Sequence, residues 1–259
     1  MSFLYLIIAF TTSIVGAISG IGGGVIIKPV LDIISIFPVA TISFLSGSTV
    51  LSMTTVTLIR SRHTKGQINK KTASLLALGG IVGGLAGKQL FDVIRLGFGD
   101  DRIIGISQST LLLLLTFSVF IFTFFKDKIT PRHKDSILFT LFTGFLLGSL
   151  ASFLGIGGGP INLAILYFIF SMDSKTAALN SIFVIFFSQM TSLIFTVVSG
   201  RVPVFDPLIV ILMIAGGLTG GLFGAIMSLR MSHKAVDRLF MSVMVLIILI
   251  CFYNIIDLI

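Results

Sequence analysis

Glutamate is absent from this chain, cysteine occurs once, at Cys251, and only 11% of the residues are charged. Each scarcity removes a class of chemistry. One cysteine forms neither an internal disulfide framework nor a thiolate metal cluster. The three histidines, His63, His133 and His233, fall among basic residues rather than beside a nucleophile or in a metal-ligand spacing. With no glutamate, and no aspartate in the middle of a full-length apolar run, the carboxylate dyad of an intramembrane protease is missing. No Lys-Ser/Thr of a phosphate loop follows Gly20 to Gly24, and the strand and later acid of a dinucleotide fold are also lacking. The chain reads as no enzyme, with no cofactor, no metal site and no ATP-driven step.

What the chain has in quantity is apolar surface. It is 55% hydrophobic over 259 residues, with a mean hydropathy of +1.12. Several uncharged runs approach or exceed the ~20 residues that cross a bilayer core as a helix. A polytopic protein of the cell (plasma or inner) membrane follows, with the lipid bilayer as its surroundings. In a soluble protein the net charge of +8 would suggest nucleic acid, but here the bases sit between apolar segments. That placement sets orientation, so no nucleic-acid partner is expected. The first residues lack the basic region and cleavage site of a signal peptide, and residues 1–27 are expected in the mature chain.

Two copies of one pentapeptide organise the rest. Gly20-Ile21-Gly22-Gly23-Gly24 and Gly155-Ile156-Gly157-Gly158-Gly159 each interrupt a long apolar run. Glycine costs roughly 1 kcal/mol per residue in a helix interior, so each cluster predicts a break. At membrane depth, open backbone groups are tolerated only against protein or a water-filled cavity. The first run resumes as a half-helix containing Lys28, Pro29 and Asp32, and the second resumes at Pro160. Full spans are expected at 41–59, 72–87, 103–125, 176–200, 207–229 and 239–256. Two of them carry glycine ladders, 79–87 and 216–224, which let helix backbones approach closely. Lys28 with Asp32, and Lys88 with Asp92, have the spacing of local ion pairs.

These parts recur in order. The pentads are 135 residues apart, the ladders 137, and Met53-Thr54-Thr55 precedes Met190-Thr191-Ser192 by 137. That is a duplication, with an N-terminal repeat at 1–130 and a C-terminal repeat at 131–259 in one integral membrane domain. The expected fold class is an all-α polytopic membrane protein of two inverted repeats, each a broken re-entrant hairpin plus three transmembrane helices. Three crossings per half turn the second half over. The stretches 60–71, 126–135 and 229–238 carry five, four and three Lys or Arg, twelve of the eighteen in the chain. By the positive-inside rule all three are cytoplasmic and both termini lie outside. Hydropathy alone also allows one or two crossings per broken run.

Inverted repeats with paired discontinuous helices build alternating-access carriers around a midplane site. Half-helices beginning at Gly24 and Gly159 would turn free N–H groups and positive dipole ends toward the centre, an anion site without a fixed charge. The expected substrate-binding residues are the pentads themselves, Gly20, Ile21, Gly22, Gly23 and Gly24 with Gly155, Ile156, Gly157, Gly158 and Gly159. Ser48, Thr49, Ser52, Asn180, Ser181 and Gln189 join them from the polar spans, and Asn162 from just after the second break. Each has a plainer reading, since glycines pack helices and Ser or Thr hydroxyls bond their own i−4 carbonyl.

These residues resemble the TauE/SafE group of sulfite and organosulfur exporters, the sulfonate uptake permease superfamily. The resemblance rests on the duplicated pentad, a proline after each copy (Pro29, Pro160), Gly66-Gln67-Ile68 and the two ladders, and covers nearly the whole chain. It implies small sulfur-containing anions such as sulfite, thiosulfate or sulfonates, carried without ATP. Pro160 abuts its pentad whereas Pro29 lies five residues beyond, so the halves differ at the site. The expected function is secondary transport of a small anionic substrate by alternating access. An anion channel and a non-transporting membrane assembly protein are the alternatives. A coupling proton or sodium ion is left open, and the residues set no oligomeric state.

Overall fold

A computed structural model describes residues 2–35, 37–61, 70–98, 100–125 and 136–258. All regular structure among them is helical. The elements are α1 (Ser2–Ser19), α2 (Gly24–Ile34), α3 (Val39–Ser61), α4 (Lys70–Phe98), α5 (Asp101–Phe124), α6 (Ile137–Leu154), α7 (Pro160–Phe170), α8 (Ser174–Val198), α9 (Pro207–Arg230) and α10 (His233–Leu258). Eight are long and apolar enough to cross a membrane, while α2 and α7 have 11 residues each. Between 33% and 50% of each spanning window is buried, which leaves a wide apolar face for lipid. Leu78, Val82, Phe117, Leu114, Leu249 and Phe252 lie on that outer surface.

Local chemistry sets the helix starts. Asp100, Asp173 and Asp206 accept backbone N–H bonds at the first turns of α5, α8 and α9, satisfying orphan donors at the positive dipole end. Pro207 and Pro160 stand in the first turn, where a missing N–H costs nothing.

The ladders hold the bundle together across the two halves. Gly79, Gly83 and Gly87 of α4 lie against α6, and a methyl group on Gly83 would collide with the Phe145 carbonyl. Gly216, Gly220 and Gly224 of α9 lie against α1 in the same way, with Gly220 on the Phe10 carbonyl. Other pairings exchange similarly. Helix α3 packs on α9 and α8 on α4, while α2 meets α3 and α10 and α7 meets α8 and α5. The pairings α1–α9 and α6–α4, α3–α9 and α8–α4, and α2–α10 and α7–α5 thus correspond in chain order.

The bundle has two distinct ends. At one, Tyr5 of α1 meets Phe37 with its ring tilted, Phe44 of α3 stacks on Phe205, and Thr41 donates to the Val204 carbonyl. At the other, Ser174 donates to Asp237 and Asp173 pairs with His233. The outer ends of α1 and α2 lie at the first, and α7 hands over to α8 at the second. Helices α1 and α6 are themselves of spanning length, and the chain doubles back after each. Helix α4 runs to Phe98, well beyond the expected 72–87 span, so Lys88, Asp92 and Arg95 are helical rather than part of a loop. Gly66-Gln67-Ile68 and most of the basic residues of 60–71 and 126–135 lie outside the described residues.

Candidate functional site

Both pentads are turns, not helix. Gly22 and Gly157 hold φ of +85° and +74°, the left-handed region that costs an L side chain roughly 1–2 kcal/mol. This reversal lets the chain leave α1 or α6 and return as a short helix. Helix α2 starts at Gly24 behind Gly23, and α7 at Pro160 behind Gly159; neither first turn is capped by a side chain. Pro160 has no N–H, and the Ile26 and Asn162 N–H groups bond the Gly23 and Gly159 carbonyls, so it is the earlier N–H groups of Gly24, Val25 and Ile161 that lack a side-chain cap.

The two turns touch. A methyl on Gly24 would strike the Ile156 carbonyl, and one on Gly158 would come within 2.9 Å of the Ile21 carbonyl. Gly22 lies against Gly157, with 3.9 Å between a methyl on Gly22 and the Gly157 carbonyl. Gly22, Gly24, Gly157 and Gly158 and the carbonyls of Ile21 and Ile156 therefore meet at one junction, while Gly20 lies against α8, Gly155 against α3 and Gly23 against α1, and a methyl on Gly159 meets only the Ile156 side chain.

Helices α3 and α8 form those walls. On α3 the stripe Ser43, Ser46, Gly47 and Val50 faces the junction, since Ser43 meets Gly155, Ser46 meets Gly24 and Val50 meets Gly157. This is the i, i+3, i+4, i+7 face of one helix. On α8, Ala178 meets Gly20, Ile185 meets Gly22 and Gly158, and Gln189 meets Gly157. Ser181 donates to the Gly20 carbonyl at 2.6 Å. Gln189 Nε2 and the hydroxyls of Ser43 and Ser46 are buried with no hydrogen-bond partner among the described residues. Buried polar atoms are rarely left so, and three of them lie around this one junction.

Of the expected polar residues, Ser181 and Gln189 reach the junction. Asn162 is buried in the first turn of α7, where its backbone N–H donates to the Gly159 carbonyl at 3.1 Å. Asn180 donates to Thr176 in its own helix. Thr49 and Ser52 face Gly217 of α9, and their hydroxyls bond the Leu45 and Ser48 carbonyls, so they and Ser48 serve α3 itself. The hydroxyls missed were Ser43 and Ser46. Gly22 on Ile185 and Gly157 on Val50 align α3 with α8 at 135 residues, the pentad offset, not at the 137 of the Met-Thr motif. The two extra residues lengthen α8, which has 25 residues against 23 in α3. Applied to Ser181, the 135 offset points to Ser46.

A cavity leads to the junction from the first end. Ser43, Ser152, Gly155 and Gln189 form its floor, and Lys88, Asp92, Arg95 and Arg201 its mouth. Asp92 is 3.2 Å from Lys88 and 3.3 Å from Arg201, so two cations flank one carboxylate, and Arg95 lines the same mouth. A second cavity approaches from the other end past Thr57, Ser61, Lys175, Ala178 and Ser228. Among the described residues lining it, only Lys175 is charged. At that end Asp173 is also perturbed: burial pushes its carboxyl up, but bonds from the Thr176 hydroxyl and N–H, the facing His233 and the Lys175 N–H bring it below its ordinary value.

Spanning-length helices wrapped around two touching, uncapped breaks, with a basic cavity leading to them, define a multi-pass membrane protein of the transporter class. The family model described as sulfite exporter TauE/SafE matches residues 5–250, and the chain belongs to that family of membrane transporters. A curated relative, the "Probable membrane transporter protein YunE" of Bacillus subtilis (strain 168), is 26% identical over 272 residues, covering 95% of this chain and 96% of the relative. No solved structure matches the chain.

Proposed function

We propose that the protein is a secondary transporter that moves a small, sulfur-containing oxyanion by alternating access, with its site at the junction of the two breaks. One observation carries this reading: two uncapped helix starts and three unpartnered buried donors meet beneath a cavity whose mouth holds three cations and one acid. Helix N-termini favour oxyanions through free N–H groups and the dipole, and the basic mouth raises local anion concentration. The exchange of neighbours between halves supports an inverted repeat of re-entrant hairpins. Cavities on opposite sides of one junction are what a rocking motion between the halves would open in turn.

The test is ligand-dependent stabilisation of purified protein. Sulfite, thiosulfate and small sulfonates are expected to raise the unfolding temperature, and Arg201→Ala to weaken apparent anion affinity about tenfold, the low end of electrostatic focusing. Stabilisation by a cation or neutral solute with none by any anion would sink the reading.

A further inference from the structure

The junction does not account for a buried ion pair on α2. Lys28, 3% exposed, lies 3.9 Å from Asp32 and donates to Gln108 Oε1 of α5 at 2.6 Å. Gln108 Nε2 donates in turn to the Phe153 carbonyl at 2.6 Å, two residues before the second break. Lys28 itself stands four residues after Gly24. An ion pair and two hydrogen bonds in series therefore link a carboxylate on the helix that opens at the first break to Phe153 at the edge of the second.

This pair is not something the fold requires. At the pentad offset of 135, the counterparts of Lys28 and Asp32 are Leu163 and Tyr167, and α7 is built without a charge. The flanking cavities differ accordingly. Tyr167, Ser174 and Ala177 line a space of about 40 Å³ in the second half, where Asp32, Val39 and Ile42 line one of about 350 Å³ in the first. Arg102 and Asp257, both exposed, stand at the mouth of the larger cavity and connect it to water. Asn254, 2% exposed, lines it too; its Nδ2 donates to the Pro29 carbonyl, but Oδ1 has no partner among the described residues.

We propose that Asp32 is the proton-binding group of the transport cycle, loaded from this cavity and read by the two breaks through Lys28, Gln108 and Phe153. The proposal rests on the transport reading above. Proton uptake converts the Asp32 carboxylate to the neutral acid and removes the counter-charge of the Lys28 ammonium, and release restores the pair. The bonds from Lys28 to Gln108 and from Gln108 to Phe153 are then left to redistribute at the breaks. The other groups facing Asp32 are few: Gln108 and Arg102 from α5, Cys251, Asn254 and Asp257 from α10, and Tyr5 near Phe37 from α1. Helix α3 contributes only Val39 and Ile42 there. A sodium ion fits less well, because the Lys28 ammonium already occupies the cation position beside the carboxylate.

The experiment uses the full chain in proteoliposomes carrying an internal pH dye, with sulfite or thiosulfate as the substrate probe. Wild type is expected to move protons together with the anion. Asp32→Asn and the double variant K28L/D32Y, which copies the second half's residues, are expected to lose anion-dependent proton movement while retaining anion counterflow at equal concentrations. Proton movement preserved in both folded variants, or anion flux in wild type driven by a sodium gradient with no proton movement, would overturn the Asp32 assignment alone. Absence of any anion flux in wild type would overturn the transport reading and this proposal with it.

Discussion

Three alanine substitutions at the junction separate backbone strain from collision. Gly22→Ala places a methyl group at φ +85° with the Ile185 Cδ1 at 3.3 Å and the Gly157 carbonyl at 3.9 Å, neither a collision, so its cost is mainly the left-handed conformation, roughly 1–2 kcal/mol. Gly24→Ala has the reverse problem. Its backbone is ordinary, but the methyl collides with the Ile156 carbonyl of the opposite turn. Overpacking of this kind costs about 1–3 kcal/mol, offset by the ~1 kcal/mol that alanine gains over glycine in a helix. Gly157→Ala incurs both penalties, with φ +74° and the Val50 Cγ1 at 2.6 Å, for a total of about 2–5 kcal/mol. Chemical unfolding of the three variants in detergent is expected to rank Gly157→Ala as the most destabilised. If Gly157→Ala costs no more than Gly22→Ala, the close packing of the second turn on α3 is refuted. If Gly24→Ala matches wild type in both stability and anion counterflow, contact between the breaks is refuted.

Two further outcomes follow from other parts of the bundle. Gly83→Ala and Gly220→Ala each drive a methyl into a carbonyl of the facing helix and should lower stability by about 1–3 kcal/mol, whereas Gly97→Ala, with nothing within 4 Å, should raise it by up to ~1 kcal/mol in the same unfolding assay. The Asp173 carboxyl lies below its ordinary value in the folded protein, so its contribution is present above the ordinary carboxylate range and is lost as pH falls through the depressed folded value. Asp173→Asn keeps an N-cap side chain without the titration and should flatten the acid limb of stability against pH; parallel limbs for the two proteins would contradict this.

Much of the architecture was legible because it is written in one-dimensional signals. The pentads gave the breaks, Gly24 and Pro160 gave the short helices, and the ladders gave close helix contacts. What a linear pattern does not carry is azimuth and partner. Ser48, Thr49 and Ser52 share a span with Ser43 and Ser46, yet only the second set turns toward the breaks, because roughly 100° per residue separates the faces. Lys88, Asp92 and Arg95 fall beyond the expected 72–87 span, although α4 carries them as its last turns. Their role at the cavity mouth depends on Arg201, 109 residues beyond Asp92. Lys28 with Asp32 was visible as a spacing, but Gln108 and Phe153 come from distant helices and join them only in three dimensions.

The ladders also bear on how the protein is made. Because α1 seats on α9 and α4 on α6, the groove-forming glycines of the first half have no partner until the second half has left the ribosome. An emerging N-terminal half would wait in the bilayer with its small-residue grooves filled by lipid, and assembly would complete only on arrival of α6 and then α9. Two polypeptides divided between α5 and α6 should accordingly reconstitute the protein when co-expressed, and each should be degraded when produced alone.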